Sequence, residues 1–347
     1  MKKEFNFKDS AIAFLLCILG VLCASFLLVQ IVAGVATSTG QDIEAVSSSS
    51  WVVYVNMFLS AIIFIAAFAI TCLITKTKNY VTASKLRFKF DYKIFIATIL
   101  ASIVTMVASI NATGLFNHLF SYISIMPLTN SVGVPLNNFW QFLLIVFLLG
   151  ILPAVCEEFL FRGIIYNGFR KKFNVKISVV LSAVLFALIH FSIYKTFYQF
   201  ILGVILSLLV YYTGTIFYSM VFHFVNNFCV IFLSYITQSG SALQFASWGV
   251  KEVLLTLIIF AIGVVAVCLF FAWLKKYSFK HKNYYKLDST PNALGDIEFN
   301  HLDNSSAVSY DEQVIVNQKS SNGVMLLIFT VLIAAAIWSI TSFGGFI

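Results

Sequence analysis

Charged residues are scarce in this chain, and their scarcity excludes most classes of soluble protein. Lys, Arg, Asp and Glu together make up 10% of the 347 residues, whereas 60% belong to the hydrophobic set. An ordinary soluble domain is about one quarter charged. The composition therefore excludes a cytosolic enzyme, a secreted disulfide scaffold and a nucleic-acid-binding domain, and it predicts a polytopic membrane protein.

Cysteine motifs are also missing. The six cysteines all fall inside apolar runs, and none of them forms a CxxC pair. Isolated cysteines in such runs are typical of small packing residues. The cysteines therefore indicate neither a redox centre nor a zinc site.

Long hydrophobic runs are abundant instead. A helix that crosses a bilayer needs about 20 mostly apolar residues. Nine runs of about this length cover residues 11–35, 52–74, 94–116, 138–165, 177–194, 196–213, 215–237, 252–274 and 322–342. The sequence therefore predicts an all-α, polytopic transmembrane helical bundle with about nine spans, whose first helix is retained rather than cleaved as a signal peptide.

The distribution of basic residues predicts the orientation of the bundle. If the N-terminus lies in the cytoplasm and the spans alternate, 20 of the 22 Lys and Arg residues fall in cytoplasmic segments, and only Lys195 and Lys251 do not. Such a bias is how loops orient a membrane protein. We therefore expect a multi-pass protein of the cell membrane with a cytoplasmic N-terminus.

The spans and the polar stretches divide the chain into five parts. Residues 1–137 are expected to hold N-terminal transmembrane helices and an external loop at 117–137. Residues 238–274 are expected to hold an additional transmembrane helix. The polar, Asn- and Ser-rich stretch 275–321 predicts a cytoplasmic linker, and 322–347 a C-terminal transmembrane helix. Residues 138–237 form the central part, which carries the chemistry.

Two adjacent acids lie inside the fourth predicted span. Of 14 acidic residues, only Glu157 and Glu158 fall well within a span. An ionised carboxylate at the bilayer centre costs at least about 2.5–3.5 kcal/mol, so such residues are functional candidates. Arg162 lies four residues after Glu158 and can pair with it along one helix face. Glu157 then points about 100° away, which leaves it available for chemistry.

Two histidines and an asparagine lie on other spans. His190 falls in the fifth span, and His223 and Asn227 are four residues apart on the seventh. Polar groups on three helices can meet only in the bundle interior. A carboxylate and an imidazole can activate water there, while an imidazole and a carboxamide stabilise an oxyanion, so the set suits amide hydrolysis.

These residues form three motifs that resemble those of a known family. Glu157-Glu158-x-x-x-Arg162, Phe186-x-x-x-His190 and His223-x-x-x-Asn227 are similar, in order and type, to the motifs of the CPBP intramembrane proteases. This Abi family includes the Rce1-type CAAX prenyl endopeptidases. The resemblance covers about residues 138–237.

The resemblance implies a role for each motif. It implies that Glu157 activates water with the help of His190, that Glu158 and Arg162 hold the helix, and that His223 and Asn227 form the oxyanion hole. No cofactor is certain. Zinc, held by Glu157, His190 and His223, stays an open alternative because these are acceptable ligand types, although the donor role of Asn227 favours a reaction without an obligatory metal.

The resemblance leaves the substrate open, and two other functions remain alternatives. The expected partners are the lipid bilayer and a membrane-associated protein or peptide, cleaved in CAAX-type or bacteriocin-type processing. A proton-coupled transporter could keep buried Glu and His residues as a proton relay; its uptake would survive Asn227→Ala but not Glu157→Gln. A non-catalytic bacteriocin-immunity or scaffold protein would keep its function after Glu157→Ala.

The position of the motifs along their spans predicts the depth of the site. Glu157 lies 13 residues before Arg170, or roughly 20 Å along a helix at ~1.5 Å per residue. The sequence therefore predicts a site between the cytoplasmic half and the midplane, in a pocket that opens toward the cytoplasm. His190 fits this depth less well, because it lies nearer the far end of its predicted span.

Overall fold

The computed structural model describes residues 4–77, 80–86, 90–122, 136–237 and 248–280. Every regular element in these ranges is helical. The first five helices are α1 (Phe7–Thr39), α2 (Ile43–Ser47), α3 (Ser50–Ile74), α4 (Tyr80–Ala83) and α5 (Tyr92–Ser121). A long helix over residues 139–170 follows, and the last four helices are α9 (Val175–Leu188), α10 (Ile193–Thr213), α11 (Phe217–Thr237) and α12 (Val250–Lys280).

The long helix over residues 139–170 is not uniform. It consists of three α-helical stretches, α6 (Phe139–Ile145), α7 (Leu152–Leu160) and α8 (Asn167–Arg170), joined by two π-helical segments, Val146–Ile151 and Phe161–Tyr166. A π-helical segment inserts a residue into the helical repeat and is often found at functional sites. Here the two segments flank α7, which carries Glu157 and Glu158.

The predicted all-α membrane bundle is confirmed. The described ranges hold seven helices that are long and apolar enough to cross a membrane, and α9 is a shorter apolar helix of 14 residues. The predicted span at 322–342 lies outside the described residues. The number of nine spans and the cytoplasmic N-terminus stay predictions.

Three predicted boundaries are wrong. The predicted span 177–194 ends at Leu188, because the chain turns there and Phe191 takes a left-handed φ of 43°. Residues 117–121 belong to α5 rather than to the external loop. The predicted linker at 275–321 does not begin at residue 275, because α12 continues to Lys280.

Tertiary contacts explain the extension of α12. The Tyr277 hydroxyl donates to Asp91 Oδ2 at 2.9 Å, and Leu274 and Ser278 are buried against the bundle. These contacts stabilise a helix whose end looks polar in sequence. The remainder of the predicted linker, residues 281–321, lies outside the described residues. Residues 123–135 of the predicted external loop lie outside them as well.

The basic segments lie together at one end of the bundle, which we call the basic face. The Lys171 ammonium pairs with Glu4, the Lys85 carbonyl accepts from the Ile216 amide at 3.2 Å, and the Tyr277–Asp91 bond joins α12 to the start of α5. The three basic residues next to these contacts therefore lie at a similar level along the bundle: Arg170, Lys93 and Lys275. This arrangement agrees with the alternation on which the predicted orientation depends.

Aromatic contacts join the helices at the other end, which we call the opposite face. His118 at the end of α5 stacks on Trp248 with ring centroids 5.8 Å apart, and Phe142 stacks on Tyr235 at 4.7 Å. Tryptophan near span ends is typical of the membrane interface. The two ends thus differ in charge, because the basic segments lie at only one of them.

Helices α9 and α10 form a hairpin that carries the second motif. Gly203 on α10 packs so closely against α9 that a β-carbon there would lie 2.8 Å from Ala183 Cα. A 14-residue helix rises about 21 Å at 1.5 Å per residue, less than the roughly 30 Å of a hydrocarbon core. The turn after Leu188 therefore places His190 inside the depth of the bundle rather than at its surface.

Candidate active site

The buried pair Glu158–Arg162 lies at the centre of the candidate site. Arg162 Nη1 donates to Glu158 Oε1 at 2.8 Å, and both side chains are fully buried. Arg162 Nη2 donates to the Gly203 carbonyl of α10 at 3.2 Å. A buried ion pair needs such additional hydrogen bonds to offset its loss of hydration. The pair therefore ties the π-helical segment Phe161–Tyr166 to the α9–α10 hairpin.

The same carboxylate connects the first motif to the third. His223 Nδ1 lies 3.2 Å from Glu158 Oε1, and both side chains are buried. An ionised carboxylate can only accept, so Nδ1 carries the proton of this bond. Its Nε2 is then the ring nitrogen that remains for other chemistry.

Glu157 takes no part in the Glu158–Arg162 pair, although it lies beside it. The side chain is 7% exposed, and its Oε2 is buried without a hydrogen-bond partner among the described residues. Electrostatic interactions connect it to His223, Glu158 and Arg162. A buried carboxylate oxygen without a partner is expensive to retain. Glu158 Oε2 is unpartnered too, but Glu158 binds Arg162 and His223 through its other oxygen. Glu157 is therefore the residue of the site that is hardest to explain by packing.

Phe186 joins the three motifs. Its carbonyl lies 2.8 Å from His190 Nδ1, and its ring meets the rings of His190 and His223 with centroids 5.2 and 6.0 Å away. The Arg162 guanidinium lies over the same ring, 4.4 Å from its centroid. A carbonyl can only accept, so His190 Nδ1 carries a proton and Nε2 is left as an acceptor.

Asn227 binds a carbonyl that a proline has released. Pro153 has no N–H and cannot bond to the Leu149 carbonyl four residues before it. Asn227 Nδ2 donates to that carbonyl at 2.9 Å. The π-helical segment Val146–Ile151 lies directly before Pro153, and Asn227 joins α11 to it.

The structure brings all six predicted residues to one region, and it adds contacts that sequence reasoning missed. The Phe186 ring, the Gly203 carbonyl and the Leu149 carbonyl were not predicted as parts of the site. Tyr198 on α10 was missed too; its hydroxyl accepts from Asn226 Nδ2, next to Asn227. Phe186 begins the second motif, four residues before His190, so its position was a usable signal. Pro153 marks the Leu149 carbonyl, which it leaves without a helical partner, but no sequence signal marks the Gly203 carbonyl.

The geometry does not support the zinc set that the sequence left open. The described residues contain no group of three or more His, Cys, Asp or Glu side chains placed to hold a metal ion. The residues of the site therefore do not fit a three-ligand metal centre, and the mechanism below uses none.

Comparison with known proteins identifies the central part of the chain. Residues 139–229 match the family model described as type II CAAX prenyl endopeptidase, Rce1-like. No curated protein and no solved structure matches the chain significantly. The matched segment contains all three motifs and all six residues of the candidate site. The match confirms the resemblance seen in the sequence: residues 139–229 are similar to the Rce1-like family, which supports a CAAX-type intramembrane protease in general.

Proposed function

We propose that this chain is an intramembrane endopeptidase that hydrolyses peptide bonds of membrane-associated proteins or peptides. The observation that carries the proposal is Glu157, a buried carboxylate with an unpartnered oxygen that lies beside the Glu158–Arg162 ion pair without taking part in it. Retaining such a group inside a membrane bundle is expensive, and it is typical of functional residues. General-base catalysis is the chemistry that requires a carboxylate with a free oxygen.

The charges of the site balance when both acids are ionised. Glu157 and Glu158 carry two negative charges, and Arg162 supplies one positive charge. A His223 ring that donates from both nitrogens supplies the second. This protonation state leaves the cluster without net charge, and an unbalanced charge in a low-dielectric interior would be costly. The pairing also explains why two adjacent glutamates are tolerated.

Glu157 and His190 position the attacking water in this proposal. The Glu157 carboxylate accepts a hydrogen bond from one O–H of the water. His190 Nε2, which the Nδ1 contact to the Phe186 carbonyl leaves as an acceptor, accepts a hydrogen bond from the other O–H. The water oxygen forms a bond to the scissile carbonyl carbon while its proton moves to Glu157. The carbonyl π electrons move to oxygen and create the oxyanion.

His223 and Asn227 stabilise the oxyanion. In the doubly protonated ring proposed above, Nδ1–H is committed to Glu158, and the Nε2–H of His223 is left for the oxyanion. A carboxamide has two N–H groups, so Asn227 can keep its bond to the Leu149 carbonyl and donate the other hydrogen to the oxyanion. Collapse of the intermediate breaks the C–N bond, and the proton held by Glu157 moves to the leaving amine.

The substrate class follows from the setting of the site rather than from a recognition domain. A site within a multi-pass bundle can reach segments that lie in or on the bilayer. CAAX-type processing and processing of bacteriocin-like peptides both supply such segments. We propose the cell membrane as the compartment, with the basic face toward the cytoplasm in accordance with the positive-inside rule.

Comparison of membrane peptidomes tests the proposed activity. Cells that produce the wild-type chain are compared with cells that produce Glu157→Gln, and Glu44→Gln serves as the matched control because Glu44 is exposed at the opposite face. We expect cleavage products that are present with wild type and with Glu44→Gln and absent with Glu157→Gln. Identical peptidomes in all three strains, with a cellular function that survives Glu157→Ala, would instead identify a non-catalytic membrane protein.

A further inference from the structure

We propose that a groove between α5 and α12 binds one anionic phospholipid from the leaflet at the basic face. An acyl chain of the lipid lies along the groove, and its phosphate group lies between Lys93 and Lys276 at the end of the groove. This lipid site shares no residue with the candidate active site, and lipid binding does not depend on proteolysis.

The groove is an apolar cavity on the outer surface of the bundle. Its volume is about 300 Å³, and its lining is hydrophobic throughout, with Ala97, Ala101 and Val104 on α5 and Phe270 and Trp273 on α12. The small alanine side chains leave the room that the aromatic rings border. From Ala97 to Val104 the helix rises about 10 Å at 1.5 Å per residue. The groove is therefore long and narrow, as a hydrocarbon chain requires.

Two contacts hold α5 and α12 together at the ends of the groove. At the inner end the helices touch, because Ala108 leaves no room for a β-carbon at Gly263. At the basic end the Tyr277 hydroxyl donates to Asp91 Oδ2 at 2.9 Å. The two helices are thus joined on both sides of the groove, which makes the groove a fixed part of the bundle surface.

Two lysines lie at the basic end of the groove. Lys93 comes four residues before Ala97 and continues the lining face of α5 by one turn, and Lys276 comes three residues after Trp273 on α12. Residues three or four apart on a helix are neighbours on its surface. Both lysine side chains are exposed, and neither forms an ion pair with a described residue. Their charges are therefore available to a ligand in the groove.

The acid at this end of the groove is already bonded within the protein. Asp91 Oδ1 accepts from the amides of Lys93 and Ile94 at 2.9 and 3.2 Å, and Asp91 Oδ2 accepts from the Tyr277 hydroxyl. Two lysine charges against one aspartate charge leave this end positive. The end of the groove therefore attracts an anion.

Aromatic side chains mark the depth of this end in the membrane. Trp273 stacks on Phe270 and on Tyr277 with ring centroids 6.3 and 5.2 Å apart. Tyr92 is 61% exposed, and the Lys93 ammonium lies 5.8 Å from the centroid of its ring. Tryptophan and tyrosine are enriched at the membrane–water interface. The two lysines therefore lie at the level of lipid phosphate groups, and the groove lies at the level of acyl chains.

An apolar groove with cations at one end matches an amphiphile with an anionic head. Ammonium groups form strong hydrogen bonds to phosphate oxygens, and basic pockets between transmembrane helices are typical of sites for anionic lipid headgroups. A zwitterionic lipid offers the same chains, but its own ammonium group opposes the lysines. At the strength typical of a lysine beside anionic lipid, each ammonium contributes about fivefold in affinity and the pair about 30-fold.

Native mass spectrometry of the full chain tests the headgroup preference. The protein in detergent is mixed with equal amounts of dioleoyl phosphatidylglycerol and dioleoyl phosphatidylcholine, which have the same acyl chains. Lys93→Gln/Lys276→Gln removes the two cations. Lys8→Gln/Lys176→Gln is the matched control, because these lysines are exposed on α1 and α9, outside the groove. We expect the first bound lipid to be phosphatidylglycerol by about 30-fold in wild type and control, and the preference to vanish in Lys93→Gln/Lys276→Gln.

A bulky side chain in the groove tests the seat of the acyl chain. Leu100 lines the groove and is 59% exposed, so Leu100→Trp fills the groove without entering the core. Leu73→Trp is the control, because Leu73 is 76% exposed on α3. We expect Leu100→Trp to lose the bound phosphatidylglycerol and Leu73→Trp to keep it. All variants should melt like wild type without lipid. Phosphatidylglycerol should raise the melting temperature only of chains that bind it, because a ligand of the native state stabilises that state.

Three results would overturn the lipid site. The first is equal binding of the two lipids to wild type, or a preference that survives in Lys93→Gln/Lys276→Gln. The second is unchanged binding in Leu100→Trp, which would mean that the lysines hold an anion while no chain lies in the groove. The third is a lower melting temperature of lipid-free Leu100→Trp without any lipid preference in wild type, the result expected if the predicted span at 322–342 fills the groove instead.

Discussion

Removal of the Arg162 side chain tests the charge cluster inside the bundle. Arg162 is fully buried, it donates to Glu158 at 2.8 Å and to the Gly203 carbonyl at 3.2 Å, and its guanidinium lies 4.4 Å from the Phe186 ring centroid. Arg162→Ala leaves the Glu158 carboxylate without its cation. Loss of one partner of a buried pair costs about 3–5 kcal/mol in soluble proteins, and we expect a loss of free energy of unfolding of this size.

The assay is thermal unfolding of the purified full chain in detergent, with two further variants. Arg162→Lys keeps the charge but not the planar fork, so it should fall between wild type and Arg162→Ala. The double variant Glu158→Gln/Arg162→Met removes both charges and should recover a large part of the lost stability, because no unpaired charge remains. An Arg162→Ala protein that melts with the wild type would refute the structural role of the pair.

Two other variants test the packing and the oxyanion donors. Gly203→Ala should lower the free energy of unfolding by about 1–3 kcal/mol, since the added β-carbon meets Ala183 Cα. Gly34→Ala, whose added β-carbon has open space around it, should change the free energy of unfolding by no more than about 1 kcal/mol. Equal melting temperatures of the two variants in detergent would contradict this packing. Asn227→Ala should reduce the turnover of purified protein about 10²–10³-fold, because a donor to the oxyanion is lost; turnover equal to wild type would remove Asn227 from the oxyanion hole.

The helices and the candidate residues were accessible to sequence reasoning because the bilayer simplifies the pattern. A spanning helix must be long and apolar, so the hydrophobic runs mark the helices, and polar residues such as Glu157 or His223 stand out against them. The family match over residues 139–229 and the all-helical bundle agree with that interpretation. The roles of the individual site residues remain predictions.

Other features depend on tertiary contacts that no local pattern encodes. The π-helical segments on either side of α7, the turn at Phe191 and the extension of α12 to Lys280 follow from packing between distant helices. The depth of Glu157 can be counted along its helix, but the close packing of the segment 161–170 depends on Ser10 and Ser84, which are remote in sequence.

The most direct test of the proposed chemistry is the turnover of purified, reconstituted Glu157→Gln beside wild type, on a substrate taken from the peptidome comparison. Glutamine keeps the size of the side chain and removes the base. We expect the rate to fall about 10²–10⁴-fold, while the melting temperature in detergent stays that of the wild type. Turnover close to wild type in a folded Glu157→Gln protein would contradict the assignment of Glu157 as the group that activates water.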